Sequence, residues 1–158
     1  MELLTAISIS VGVLSGVWAW IAATFGMVSW TGFVGWTSYF SSGGKFQGLI
    51  KSLFSNATGI LWAMCIIKGS TLFHHAWWSY MLTAFFSFVM CIQAKLKKLE
   101  FISGAFCGCF STFGLNGHWQ AVVPALLCGN ILGYASEMIG IYFHKLVGKK
   151  ERAGEKDE

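Results

Sequence analysis

The chain has 158 residues, of which 55% are hydrophobic, 16% aromatic and only 11% charged, with a single proline and a positive mean hydropathy. A soluble domain carries about one quarter charged residues, so an ordinary water-facing surface is excluded, and the length suits one compact bundle embedded in lipid. The net charge of +4 is a topology signal rather than a nucleic-acid footprint.

Hydropathy divides the chain into six apolar segments, roughly 4–24, 27–41, 47–67, 71–94, 99–115 and 120–144. A helix needs about 20 residues to cross the hydrocarbon core. The expected fold is therefore all-α, a polytopic transmembrane helix bundle of about six spans. Its transmembrane domain covers 1–146, with a short charged cytoplasmic tail at 147–158. The first segment follows Met1-Glu2-Leu3, has no basic n-region and no cleavage site, and reads as a retained helix. It contains Gly12-x-x-x-Gly16. Glycines four apart smooth one helix face so that another backbone can approach.

After it comes Thr24-Phe25-Gly26, the first of two TFG breaks. The second segment is short, and a five-span alternative makes it a re-entrant hairpin. The third carries Asn56 and Thr58, the fourth Ser87 and Gln93. Asn56 opens an N-x-T sequon, which inside a spanning helix is no glycosylation acceptor. The fifth segment contains Gly104-x-x-x-Gly108 and ends on the second break, Thr112-Phe113-Gly114. The sixth contains Gly129-x-x-x-Gly133, Asn130 and Glu137. The paired breaks suggest an internal duplication of hairpins 1–2 and 5–6 in parallel orientation. Interrupted helices at matching positions mark binding sites in transporters; the bland alternative is that both breaks are ordinary loops.

Six spans with both termini in the cytoplasm put Lys45, Lys51, Lys95, Lys97, Lys98, Lys145, Lys149, Lys150, Arg152 and Lys156 inside and only Lys68 outside. The same map puts Trp30, Trp77, Trp78, Tyr80 and Trp119 at the outer headgroup layer, where indole and phenol rings are favoured.

Polar groups inside the hydrocarbon are the functional lead. Asn56, Thr58, Gln93, Asn130 and Glu137 are the expected pathway lining; Thr24, Trp30, Thr112, Asn116, His118 and Trp119 are the expected outer vestibule. Gly12, Gly16, Gly104, Gly108, Gly129 and Gly133 are the expected helix-packing positions. Glu137 is the single acid within a span. It has three readings: titration, a gate, or an ion pair with a lysine such as Lys95. His74, His75 and His118 share the outer side, but with no carboxylate to orient them no metal is expected. The five cysteines lie in apolar runs, and Cys107 and Cys109 point about 200° apart on a helix, so they read as packing residues. No zinc-protease, nucleophile-elbow, phosphate-loop or dinucleotide motif is present, so neither an enzyme nor a cofactor is expected.

"FVMCIQAK" at 88–95, with "LSGVWAWIA", "SWTGFVG", "GILWAMCIIKGS" and "VVPALLCGNILGYA", resembles the YcdZ-like bacterial inner-membrane proteins from about Ile7 to Tyr142. The resemblance implies an inner-membrane location and one family domain of unknown function, and transfers no site residue. The expected function is a channel or facilitator for a small polar solute of urea, ammonia or short-chain acid size, working as a homo-oligomer in the lipid bilayer. The alternative is a non-transporting scaffold or accessory subunit that packs through its glycine faces.

Overall fold

The computed structural model describes residues 2–72 and 76–154, with the side chains of 2–72 and 77–147. Six α-helices follow one another: α1 (Leu3–Phe25), α2 (Ser29–Ser41), α3 (Lys45–Leu72), α4 (Ala76–Ile92), α5 (Ile102–Gly114) and α6 (Trp119–Gly154). A 3-10 turn at Gln93–Lys95 extends α4, and no strand occurs among the described residues. Among the described residues, four stretches are long and apolar enough to cross a bilayer: Leu3–Phe25, Lys45–Leu72, Trp77–Lys95 and Trp119–Val147. The other two helices, α2 and α5, have 13 residues each. That is about 20 Å of helix against a hydrocarbon core of about 30 Å. Large apolar side chains such as Leu4, Trp20, Phe85 and Leu127 are exposed on the flanks, as lipid-facing positions require.

The two TFG breaks are physically different. Gly26 ends α1 in the left-handed region, at φ 64°, and its N–H returns to the Ala22 carbonyl. Gly114 is still helical, and the chain turns two residues later, at Asn116 (φ 51°) and Gly117 (φ 81°). Shared letters therefore do not give shared geometry. Helix α6 continues into the charged tail as far as Gly154.

Packing rests on backbone meeting backbone. A Cβ on Gly129 of α6 would stand 1.8 Å from the Gly32 carbonyl oxygen of α2, and one on Gly35 would stand 2.3 Å from the Leu126 carbonyl oxygen. Further along, Tyr39 lies against Gly133, so α2 and α6 run in the same direction. The pair α3 and α5 is built alike. A Cβ on Gly59 would stand 1.8 Å from the Ala105 carbonyl oxygen, and one on Gly108 2.0 Å from that of Asn56. Meanwhile α1 lies antiparallel on α6, where Ser10 Oγ donates to the Ser136 carbonyl at 2.6 Å and Ile7 touches Gly140. In the same way α4 lies antiparallel on α3, through Leu82 against Gly69 and Gln93 against Thr58. The contacts thus relate α2 to α5 and α3 to α6, rather than the first hairpin to the last. Gly12 and Gly16 take no part, since a Cβ on either meets nothing within 4 Å.

Two apolar cores fill the bundle. One gathers Trp18, Ala22 and Trp36 with Cys128 and Leu132; the other gathers Ala63, Met90, Ala105 and Cys109 with Trp62. At one end of the bundle lie the α2–α3 turn, the N-terminus of α1 and the segment after α4. Lys45, Lys51, Lys95, Lys97, Lys98 and Lys145 collect there, with Lys51 paired to Glu100 and Lys98 set 5.5 Å over the Phe54 ring. The opposite end carries Lys68 and the tryptophans Trp30, Trp77 and Trp119.

Candidate functional site: a buried serine–asparagine cluster

Near mid-height, Ser38 of α2, Ser52 and Asn56 of α3 and Asn130 of α6 meet. Ser52 and Asn130 are 0% exposed, Ser38 1% and Asn56 3%. The glycine contacts place them. Gly129 seats α6 against α2, so the next residue, Asn130, is turned toward α3; Gly108 seats α5 on the backbone of Asn56. Ser38 Oγ lies 2.6 Å from Ser52 Oγ and 2.8 Å from Asn56 Oδ1, and Ser52 donates to Asn130 Oδ1. Asn130 Nδ2 in turn donates to the Leu126 carbonyl at 2.9 Å.

A hydroxyl has one hydrogen to donate. Two serines cannot fill three oxygen–oxygen contacts. Turning the Asn56 amide over, so that its nitrogen meets Ser38, supplies the missing hydrogen. Donation then runs one way, from Asn56 to Ser38, Ser52, Asn130 and the Leu126 carbonyl. Either way, one edge of the Asn56 amide keeps no partner among the described residues.

It is not alone. Thr31 Oγ1, Trp36 Nε1, Ser55 Oγ and Ser111 Oγ are also buried without a hydrogen-bond partner, as is Asn56 Nδ2 as placed. Each such group costs about 1–3 kcal/mol. Beside the cluster a groove of about 290 Å³ opens between α3 and α6, walled by Leu53, Ile60, Val123 and Leu127, and reaching Asn56 and Asn130. No charged side chain belongs to the cluster or to the groove.

The other expected lining residues form separate groups. Gln93 Nε2 donates to Thr58 Oγ1 at 3.1 Å, and Trp62 Nε1 donates to Gln93 Oε1 at 2.9 Å, fastening α4 to α3. Replacing Gln93 by leucine strands Trp62 Nε1, while the Thr58 hydroxyl keeps its bond to the Ser55 carbonyl, and should cost about 1–2 kcal/mol. A lowered melting temperature, compared with the exposed neighbour change Cys91→Ser, checks this. Glu137 sits at the lysine-bearing end. Its carboxylate accepts from the Tyr39 hydroxyl and, at 2.8 Å, from the backbone N–H of Lys45. It therefore caps the N-terminus of α3, where a negative charge is favoured. The ion pair with Lys95 is not the contact that forms.

The expected vestibule is likewise divided. Thr24, Trp30, Asn116, His118 and Trp119 are exposed. Trp30 lies over Gly114, at 3.0 Å from where a Cβ would be. Thr112 is 0% exposed and donates to the Gly108 carbonyl, so it belongs to the interior and not to a mouth. His74 and His75 lie outside the described residues. No group of metal-ligating side chains is found among the described ones.

Sequence reasoning missed Ser38, Ser52 and Tyr39. A serine in an apolar helix ordinarily bonds its own carbonyl one turn back, as Ser70 does to Ile66. Nothing local separates such a serine from one that reaches across helices.

Residues 8–141 match the model of a family described as a protein of unknown function, DUF1097. The chain belongs to the DUF1097 family. This DUF1097 chain is 44% identical over 144 residues to the inner membrane protein YcdZ of Salmonella typhimurium strain LT2, covering 90% of each. It is 42% identical to YcdZ of Escherichia coli K12 over 144 residues, 90% of this chain and 88% of that one. It is 29% identical over 166 residues to the uncharacterized protein YahC of the same organism, covering 96% and 99%. No solved structure matches the DUF1097 chain. The YcdZ relatives are named inner membrane proteins, in keeping with the four long apolar helices.

Proposed function

We propose that this DUF1097 chain crosses the inner membrane six times and passes a small, neutral, polar solute through the serine–asparagine cluster. The observation that carries the reading is the buried hydroxyl–amide chain itself, in a bundle that also leaves Thr31 Oγ1, Trp36 Nε1, Ser55 Oγ, Ser111 Oγ and one edge of the Asn56 amide buried without a partner among the described residues. A purely structural bundle gains nothing from them. A pathway does, because each group replaces part of the hydration that a solute sheds on entering. The absence of charge from the cluster selects a neutral species, in the size range of urea, ammonia or a short-chain acid in its neutral form. The lysine-bearing end is then cytoplasmic by the positive-inside rule, with both termini on that side.

The test is stopped-flow light scattering on proteoliposomes challenged with urea, ammonium, acetate, formate or glycerol, against empty liposomes. One solute should equilibrate faster through the wild type, and Asn56→Leu should abolish the difference while remaining monodisperse. If every solute matches empty liposomes, the reading fails. A second reading, a scaffold, is favoured by the outward Gly12 and Gly16, whose open face would admit a partner helix or a second copy of this chain. That reading expects a stoichiometric companion on gentle extraction.

A further inference from the structure

The two short helices and the two long ones correspond residue by residue. Gly59 meets α5 as Gly129 meets α2, and Asn56 receives Gly108 as Leu126 receives Gly35. One constant step along the chain carries Gly59 to Gly129 and Asn56 to Leu126. A second constant step carries Gly32 to Ala105, Gly35 to Gly108 and Ser38 to Ser111. Since α1 lies on α6 as α4 lies on α3, the halves α1–α3 and α4–α6 are equivalent units. Each holds three helices that alternate in direction, so the second unit is upside down relative to the first.

The step that relates α2 to α5 also carries Gly43 and Gly44 to Asn116 and Gly117. All four have left-handed backbones, with φ of 97°, 66°, 51° and 81°. These are equivalent turns at opposite ends of the bundle. Each is covered by the long helix of the other unit, at equivalent positions. A Cβ on Gly44 would stand 2.8 Å from the carboxylate of Glu137, and one on Gly117 would stand 3.4 Å from Ile67 Cδ1. Ile67 and Glu137 are separated by the same step as Gly59 and Gly129. The lysine-end seal is polar, since Glu137 holds the Tyr39 hydroxyl and the Lys45 N–H, while the opposite seal is apolar.

We propose that the two turns are alternating gates to the central cluster, and that the clasp of Glu137 on Tyr39 and Lys45 holds the lysine-end gate shut. Two units of one fold in opposite orientation can exchange conformations, and the exchange opens one end as it closes the other. Unlike seals bias which state is populated, and removing one seal shifts the population toward opening at its end. The proposal rests on the facilitator reading for its purpose, but its test needs no transport.

Hydrogen–deuterium exchange of the full chain in nanodiscs reads both turns at once. Glu137→Ala should raise exchange in residues 42–48 about tenfold and lower it in 112–118; Ile67→Ala should do the reverse. Glu137→Gln retains an acceptor and should lie between wild type and Glu137→Ala, which keeps the test available if Glu137→Ala does not fold. The proposal is overturned if each variant loosens only its own turn, because that is local fraying. Reciprocal exchange supports the gates even if no solute flux is found, in which case the solute reading fails alone. Flux without reciprocity retains the pathway and discards the gates.

Discussion

Replacing Gly129 by alanine is expected to prevent the bundle from closing. The new methyl would stand 1.8 Å from the Gly32 carbonyl oxygen and 3.0 Å from the Trp36 amide nitrogen. Both are backbone, so no side chain can move aside. Relief requires α2 and α6 to separate along the contact that places Asn130. Overpacking ordinarily costs about 1–3 kcal/mol, and a backbone obstruction belongs at or beyond the top of that range. Gly59→Ala should behave alike, because its methyl meets the Ala105 carbonyl oxygen at the same 1.8 Å. Gly12→Ala and Gly16→Ala meet nothing and should leave the monomer fold untouched. The measurement is the monodisperse fraction after detergent extraction, followed by its melting temperature. Equal behaviour of all four variants would mean that the helices do not cross at these glycines.

The second large effect is expected at Asn130. Asn130→Leu leaves the buried Ser52 hydroxyl and the Leu126 carbonyl without their amide partners. The adjoining groove of about 290 Å³ has room for the added methyl groups, so lost hydrogen bonding should dominate, at about 1–3 kcal/mol. Ser52→Ala should also destabilise, because it strands Asn130 Oδ1 and leaves Ser38 with Asn56 alone. The double variant removes both ends of one contact and should cost less than the sum of the singles, by about 0.5–3 kcal/mol. Equilibrium unfolding in mixed micelles measures this. Strict additivity would show that the serine–amide contact contributes no coupling.

The helices themselves are plain in the sequence. Long apolar runs with one proline leave the chain little other choice in lipid, and the shortness of the segments at 27–41 and 99–115 is real in α2 and α5. Asn56 and Asn130 stand out because an amide in hydrocarbon must find a partner. What could not be read is which helices meet. Gly32 and Gly35 are three apart and Gly59 is isolated, so none fits the four-residue spacing that draws attention to Gly104 and Gly108. Their importance lies in a carbonyl on a distant helix. Glu137 is visible as a lone acid in an apolar segment, but its partners are the hydroxyl of Tyr39, 98 residues away, and a backbone N–H, and backbone groups have no letter in the sequence. The TFG match misleads for the opposite reason: the same letters put a left-handed glycine just past the end of α1 and a still-helical glycine at the last position of α5.

The length of α6 has a mechanical consequence. Its 36 residues make about 54 Å of helix, well beyond the thickness of the hydrocarbon core, with its one proline, Pro124, on the far side of Asn130 from the charged end. Asn130 and Glu137 lie on the same helix as the turns that reach Gly154. No proline interrupts the helix between Asn130 and Gly154, so a tilt imposed on the last turns should reach both residues. A rigid fusion joined to the last turn would therefore act as a handle on the interior, whereas the same fusion on a flexible linker would not.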